Sequence, residues 1–104
     1  MKIFISSDHA GYNLKDQIYD KLKKRNYRII NLGPFDDKSV DYPIYAKKLA
    51  NTVSRNKSSF GILVCGSGTG MAMAANKVKN IRAAMCYNVK NTKLSRLHNN
   101  ANII

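Results

Sequence analysis

The chain has 104 residues, of which 44% are hydrophobic, a combination that fits one small globular domain spanning residues 1–104 and argues against disorder. Its charge is unusual, because the chain contains 18 lysines and arginines but only 6 aspartates and no glutamate, which gives a formal net charge of +12. No apolar run approaches the length of a membrane span, and the amino terminus lacks a signal-peptide layout. We therefore expect a soluble, cytoplasmic chain with no membrane partner.

The basic residues are spread along predicted helix faces and form neither a dense block nor a pattern interleaved with aromatics. This favours a solvated surface over a nucleic-acid footprint, and biased residue usage explains the excess at least as well. A nucleic-acid partner is therefore not expected. The residues concerned are Lys15, Lys21, Lys23, Lys24, Arg25, Lys47, Lys48, Arg55 and Lys57.

The first 40 residues predict two strands separated by a helix. An apolar run predicts a buried strand over Lys2–Ser6, and a polar turn from Ser7 to Gly11 follows it. An amphipathic helix comes next, with a buried stripe at Leu14, Ile18 and Leu22. Its opposite, solvated face carries Lys15, Asp16, Lys23 and Lys24. A second strand is predicted over Tyr27–Leu32, closed by Gly33-Pro34, and a loop containing Asp36 and Asp37 follows.

The rest of the chain continues this alternation. Asp41-Tyr42-Pro43 begins a second helix, because proline is tolerated in the first turn and a carboxylate is favourable near the positive end. Its buried stripe is Ala46, Leu49, Ala50 and Val53. The later elements are a strand over Phe60–Val64, a glycine-rich loop with a helix to about Val78, a strand over Ile81–Cys86, a helix over Val89–Leu97 and a strand over Ala101–Ile104.

Strands that alternate with helices predict a three-layer α/β/α fold, with a parallel sheet of about five strands and helices on both faces. Ligands in such sheets bind at the carboxyl ends of the strands. This edge gathers Asp8 and His9 after the first strand, Cys65 to Gly70 after the third and Tyr87-Asn88 after the fourth. His98 ends a helix and is expected at the opposite edge, so a role for it in the same site requires a second subunit.

The loop Cys65-Gly66-Ser67-Gly68-Thr69-Gly70 is the most distinctive stretch. It precedes a helix, whose unpaired N–H groups and positive dipole end favour an anion and the thiolate form of a nearby cysteine. A tight turn with a buried cysteine is the alternative. The loop matches neither the dinucleotide-binding pattern nor a nucleotidase phosphate loop. The cysteines and histidines contain no closely spaced ligand pair, so we expect no metal.

The other reactive side chains each have a simple structural interpretation as well. His9 is typical of a capping or hydrogen-bonding residue, and His98 of a group that stabilises a helix carboxyl end. Asp8 is typical of a turn or helix cap, and Cys86 of a core position. From spacing alone, the sequence predicts an anion-binding α/β domain, with acid–base catalysis as a hypothesis.

Several ordered motifs together resemble one enzyme family: Ser7-Asp8-His9-Ala10-Gly11, Val40-Asp41-Tyr42-Pro43, Cys65 to Met71, Ala74-Ala75-Asn76-Lys77, Ile81-Arg82-Ala83-Ala84 and Arg96 to Asn102. Over essentially the whole chain they are similar to the type B ribose-5-phosphate isomerases, a family that includes galactose-6-phosphate isomerase subunits. The resemblance implies a homodimer, or a dimer of dimers, of Rossmann-like subunits that share active sites. It implies interconversion of ribose 5-phosphate and ribulose 5-phosphate in the non-oxidative pentose phosphate pathway, without a metal or organic cofactor.

The resemblance also implies roles for single residues. Cys65 would carry a proton between C1 and C2, and the N–H groups of Gly66 to Gly70 would hold the enediolate oxygen. His98, arriving with Asn99 from the partner subunit, would open the furanose ring. Asp8 would handle hydroxyl protons, and Ser67 stands where the family has threonine or serine. The implied substrate-binding set is His9 (at the phosphate), Gly66, Gly68, Thr69, Gly70, Asn99, Asp41 and Tyr42.

The chain departs from the family's pattern at its end. Family members continue past the fifth strand into a helical region with phosphate-binding arginines, whereas this sequence ends at Ile104. A charge-assisted hydrogen bond is worth roughly 1.5–3 kcal/mol, so weaker phosphate binding is expected. Two alternatives stay open: a galactose or allose 6-phosphate isomerase, and a catalytically impaired domain that binds an anion or nucleic acid.

Overall fold

A computed structural model describes all 104 residues and contains three strands and four helices. In chain order these are β1 (Lys2–Ser7), α1 (Tyr12–Lys24), β2 (Arg28–Asn31), α2 (Tyr42–Arg55), β3 (Ser59–Val64), α3 (Thr69–Ala75) and α4 (Val89–Leu97). The predicted alternation of strands and helices is confirmed as far as α3, which ends three residues before the predicted Val78, but no strand separates α3 from α4. None of the four helices combines the length and the apolar character that crossing a bilayer requires.

The sheet is parallel, with β1 in the middle of the order β2-β1-β3. Side chains alternate between its two faces because the strand period is two residues. Ile3, Ile5 and Ile29 pack beneath α1, whereas Phe4 packs against Leu49 and other residues of α2 and α3. The α/β class with helices on both faces is therefore confirmed.

The prediction of about five strands is wrong, because the predicted fourth and fifth strands form only isolated bridges. Ile103 pairs with Gly61 on one side and with Ala83 on the other. In addition to its bridge with Ile103, the Ala83 backbone bonds to the side chain of Asn76, whose amide donates to the Ala83 carbonyl (2.9 Å) and accepts from the Ala83 N–H (2.7 Å).

The predicted buried face of helix α1 is confirmed at Ile18 and Leu22, which pack against the Ile3, Ile5 and Ile29 cluster, but it is wrong one turn earlier. Lys15, expected on the solvated face, is fully buried, and Leu14, expected in the buried stripe, is 52% exposed. The Lys15 Nζ donates to the Pro34 carbonyl (2.6 Å) and to Asn31 Oδ1 (3.2 Å), and it pairs with Asp16 (3.0 Å). A buried ammonium is tolerated when such acceptors surround it. Lys15 therefore fastens α1 to the turn that follows β2.

Candidate functional site

The carboxyl ends of β1 and β3 bring two turns together, as the parallel-sheet rule predicts. Ser7 lies opposite Val64, and the next residue, Asp8, donates its N–H to the Val64 carbonyl (3.1 Å). The Asp8 carboxylate accepts from Gly11 N–H (2.7 Å) and, at 3.4 Å, from Gly66 N–H. Asp8 therefore holds its own turn and contacts the glycine loop, so its structural role and its predicted position at the site coexist.

Cys65 begins the glycine loop as a half-buried free thiol. Its Sγ accepts a hydrogen bond from the N–H of Gly68 at 2.8 Å. Gly68 reaches this position with a φ of +80°, a left-handed conformation that suits glycine, and it caps α3. This hydrogen bond fixes the sulfur at the start of the glycine loop, next to the amino end of α3.

The N–H groups of the loop are partly engaged within the protein. Those of Gly66, Gly68 and Thr69 donate to Asp8, to Cys65 and to Ser67 Oγ (3.3 Å), respectively. The N–H groups of Ser67 and Gly70 have no protein partner. Fewer loop N–H groups are therefore free to bind an anion than the five predicted. The Ser67 hydroxyl occupies one of them, the N–H of Thr69.

Two further side chains lie against the loop. Tyr42, 43% exposed, sits so close to Gly70 that a Cβ there would come within 2.8 Å of its ring. Asp41 beside it is the exposed N-cap of α2 and makes no side-chain capping bond. Thr69 Oγ1 contacts Met85 Sδ at 3.4 Å. Sequence reasoning missed Met85, although its place near the carboxyl end of the predicted fourth strand could have indicated it.

The two histidines lie in different places. His9 is exposed beside Asp8, and only its carbonyl makes a hydrogen bond, from Tyr12 N–H at 3.4 Å. His98 is exposed at the carboxyl end of α4. Shortly after it, residues 102–104 run beside β3 from Gly61 towards Leu63. His98 therefore comes just before a segment that starts to pair in the first half of β3, near Gly61. Cys65, in contrast, follows the carboxyl end of β3.

Within one chain, His98 and Asn99 are not brought to Cys65. Asn99 is instead held by Arg82, whose Nε donates to the Asn99 carbonyl at 2.6 Å. The structure therefore assembles Asp8, His9, Cys65, the glycine loop and Tyr42 at one edge. It leaves His98 and Asn99 exposed elsewhere.

A cavity of about 360 Å³ opens beside the loop, with Cys65 to Gly68 at one end. Fourteen of its 17 lining residues are hydrophobic, among them Leu14, Ile18 and Ile104. It excludes Asp8, His9 and Tyr42. A hydroxylated, charged ligand therefore fits the polar cluster around Asp8 and the loop better than this apolar cavity.

Carboxylates dominate the loops around the start of α1. Burial, followed by the nearby carboxylates of Asp16, Asp36 and Asp37, raises the pKa of the Tyr12 phenol above its ordinary value. A phosphate at this edge therefore needs N–H donors or cations to offset a negative field. No three histidine, cysteine or aspartate side chains come together in a way that could hold a metal ion.

Known proteins match this chain over almost its whole length. The family model described as Ribose/Galactose Isomerase matches residues 3–104. The chain belongs to the ribose/galactose isomerase family. The match includes every residue of the site described above, His98 and Asn99 included. The matched range therefore includes both the glycine loop at the carboxyl edge and the exposed segment at the end of α4.

Solved structures and a curated relative in this family are similar throughout the chain. Ribose-5-phosphate isomerase B of Clostridium thermocellum is 51% identical with a TM-score of 0.96, over 99% of this chain and 70% of that one. The Mycoplasma genitalium enzyme, with bound ribulose 5-phosphate, is 44% identical with a TM-score of 0.92, over 98% and 68%. Ribose-5-phosphate isomerase B of Escherichia coli is 39% identical over 103 residues, 99% of this chain and 69% of that protein.

Proposed function

We propose that this chain interconverts ribose 5-phosphate and ribulose 5-phosphate through an enediolate, as a cytoplasmic enzyme of the non-oxidative pentose phosphate pathway. The family match over residues 3–104 supports this function. So does the M. genitalium relative, which is 44% identical and whose structure contains bound ribulose 5-phosphate. The polar cluster at the carboxyl edge supplies the groups that the reaction needs.

The proton transfer is assigned to Cys65. Its thiolate takes the proton from C2 of the open-chain aldose, and the electron pair left behind forms the C1–C2 double bond while negative charge moves to O1. The hydroxyl proton passes from O2 to O1, and the thiol then returns its proton to C1 as the C1–C2 double bond breaks and O2 forms the ketone carbonyl with C2. Atoms and charge balance, and no redox partner is needed. The Gly68 N–H, 2.8 Å from Sγ, holds the sulfur in position at the start of the loop.

The enediolate oxygen needs donors that are already in place. The N–H groups of Ser67 and Gly70 have no protein partner and belong to the same loop as Cys65. Asp8 contacts that loop through Gly66, which suits a carboxylate that relays hydroxyl protons. His9 is exposed next to it and is proposed to contact the phosphate.

The position of Cys65 is the observation that carries this proposal, and its substitution is the test. We expect Cys65→Ala to lower the rate of ketose formation from ribose 5-phosphate by at least about 100-fold, a typical contribution of a positioned acid–base group. Cys86→Ala is the matched control, because Cys86 is also half-buried and lines the same cavity but lies outside the loop. Equal rates for wild type and Cys65→Ala would remove Cys65 from the mechanism.

His98 and Asn99 are proposed to act in the site of a partner subunit within a homodimer, with His98 opening the furanose ring. Their exposure at the end of α4, away from Cys65 of the same chain, supports this arrangement. Subunit mixing tests it. Cys65→Ala and His98→Ala dimers, each inactive, are unfolded together and refolded.

After random pairing of equal amounts, half of all dimers contain one subunit of each variant. One of the two sites in each such dimer is intact, so about a quarter of wild-type activity should return. No recovery, with hybrid dimers demonstrated by mass spectrometry, would place His98 outside a shared site. Recovery would in turn establish the dimer.

A six-carbon sugar phosphate is the second candidate substrate, since the matching family is described by both ribose and galactose. Competition assays separate the two. We expect ribose 5-phosphate to be turned over faster than galactose 6-phosphate or allose 6-phosphate at equal concentration. A higher kcat/KM for either hexose phosphate would reverse the assignment.

A further inference from the structure

A second, strongly basic groove lies at the amino ends of the strands, at the edge opposite the glycine loop. It has a volume of about 370 Å³ and eight lining residues: Met1, Lys2, Arg28, Arg55, Asn56, Lys57, Ser58 and Ser59. Four of these carry cationic side chains, and none is acidic. The four cations come from β1, β2, the end of α2 and the loop before β3, so spacing along the sequence does not reveal the cluster.

The cations in this groove oppose one another. Lys2 lies directly opposite Arg28 on the neighbouring strand, about 4.8 Å away by ordinary strand spacing. Like charges in such positions destabilise a sheet. The helix dipole accounts for Arg55 in the last turn of α2 but not for Lys2, Arg28 or Lys57. The one ion pair in the protein joins Lys15 and Asp16, outside the groove.

Charge is also distributed unevenly along the chain. All six carboxylates lie at or before Asp41, and the segment 42–104 contains ten lysines and arginines and no acidic residue. Asp8, Asp36, Asp37 and Asp41 follow the carboxyl ends of β1 and β2. The amino ends of the strands therefore carry positive charge that no lining carboxylate offsets, and that charge attracts anions.

We propose that this groove binds a linear oligophosphate, a small molecule with three or more linked phosphate groups. Arginine forks and lysine point charges are the side chains that bind phosphate oxygens, and here two of each line one concave surface. Several cations from different elements suit several linked negative charges better than one. The groove shares no residue with the proposed isomerase site, so the binding is independent of that activity.

Titration calorimetry with inorganic tripolyphosphate, in about 0.15 M salt to screen long-range attraction, tests the proposal. We expect saturable binding of one tripolyphosphate per chain. The double variant Arg55→Gln with Lys57→Gln should weaken it about tenfold or more, through the loss of two charge-assisted contacts. Lys90→Gln with Lys93→Gln removes the same charge from exposed positions outside the groove and should change the affinity less than about twofold.

Three results would overturn the proposal: no saturable binding, equal weakening by both double variants, or displacement of tripolyphosphate by saturating ribose 5-phosphate. A single-stranded RNA oligomer is the comparison ligand. If it binds more tightly than tripolyphosphate, and if the Arg55→Gln with Lys57→Gln variant binds it as tightly as wild type does, the charge forms a diffuse nucleic-acid surface instead of an oligophosphate groove.

Arg28→Gln provides a readout that does not depend on the double variant. It should weaken tripolyphosphate binding and, because it relieves repulsion of Lys2, raise the midpoint of thermal unfolding in the absence of ligand. A fall in that midpoint with unchanged affinity would give Arg28 a structural role and count against the groove.

Discussion

The two sides of β3 are held by different means. On one side, β1 pairs with it in a regular parallel ladder of six residue pairs, from Lys2 with Ser59 to Ser7 with Val64. On the other side, residues 102–104 and then 82–84 are joined through single bridges at Ile103. Side chains supplement that pairing. Asn76 bonds to the Ala83 backbone, and Asn102 Oδ1 accepts from Arg82 N–H at 2.9 Å.

The difference separates two kinds of sequence requirement. The ladder side needs apolar side chains of the right size above and below it, and its backbone bonds accept almost any residue. The bridged side needs particular amides and a guanidinium at particular positions, because they provide bonds that a longer strand would have provided. Substitutions on the first side should act through packing, and those on the second side through lost hydrogen bonds.

The largest effect is expected from Leu49→Ala, on the ladder side. Leu49 is fully buried in the cluster around Phe4, so its truncation should lower the free energy of unfolding by about 2–5 kcal/mol. Urea denaturation followed by circular dichroism measures the change. Ile44→Ala, at a 62% exposed position of the same helix, should change it by less than about 0.5 kcal/mol. A similar loss for both variants would contradict the dependence on packing.

Gly61→Ala should have the next largest effect, because α2 lies almost directly on β3 at this point. A Cβ at residue 61 would come within 2.6 Å of Leu49 Cδ2, and such overpacking costs about 1–3 kcal/mol. In a Leu49→Ala background the closest of these contacts is gone and only Ile103 Cγ1 (3.0 Å) and Val53 Cγ2 (3.1 Å) crowd the extra methyl group, so the same change should cost at least about 0.5 kcal/mol less. Strict additivity of the two substitutions would show that the contact is not the cause.

The ladder side was largely predictable from the sequence, and so was half of the site. Apolar runs, the stripe of α2 and the alternation of elements carry information within short windows. The rule that parallel strands end at one edge then placed Asp8 and His9 beside Cys65. The same rule put His98 at a different place from Cys65, as the structure has it.

The remaining features depend on contacts between residues distant in sequence, which no local pattern reports. The β-like run 81–86 pairs with the rest of the sheet only through a bridge at Ile103, and the Asn76 amide bonds to the Ala83 backbone. Lys15 fits the periodicity of a solvated face, but the Pro34 carbonyl and Asn31 give it buried acceptors. Met85 and the basic groove likewise exist only after folding.

Asn76→Ala tests the bridged side. The substitution removes both hydrogen bonds to Ala83 at an exposed position, so we expect a loss of about 1–2 kcal/mol in the free energy of unfolding. The Ala83 and Ala84 amides should exchange hydrogen faster, while those of β1 keep their protection. Asn51→Ala, exposed on α2 without a side-chain bond, should cause no loss. Faster exchange throughout β1 would show that the two sides are not separable.

The smallest effect is expected from Arg82→Gln, and it links the bridged side to catalysis. Arg82 is exposed, but its Nε bond to the Asn99 carbonyl fixes the segment that carries His98. If that segment completes a partner's site, losing a bond worth about 0.5–1.5 kcal/mol should lower kcat/KM about 2- to 10-fold with little change in stability. Arg25→Gln, an exposed arginine at the end of α1, is the control. Arg82→Lys should not restore the rate, because lysine lacks the planar Nε–H that reaches this carbonyl. A fall in stability with unchanged kcat/KM would make Arg82 a support of the bridged side alone and separate that side from the reaction.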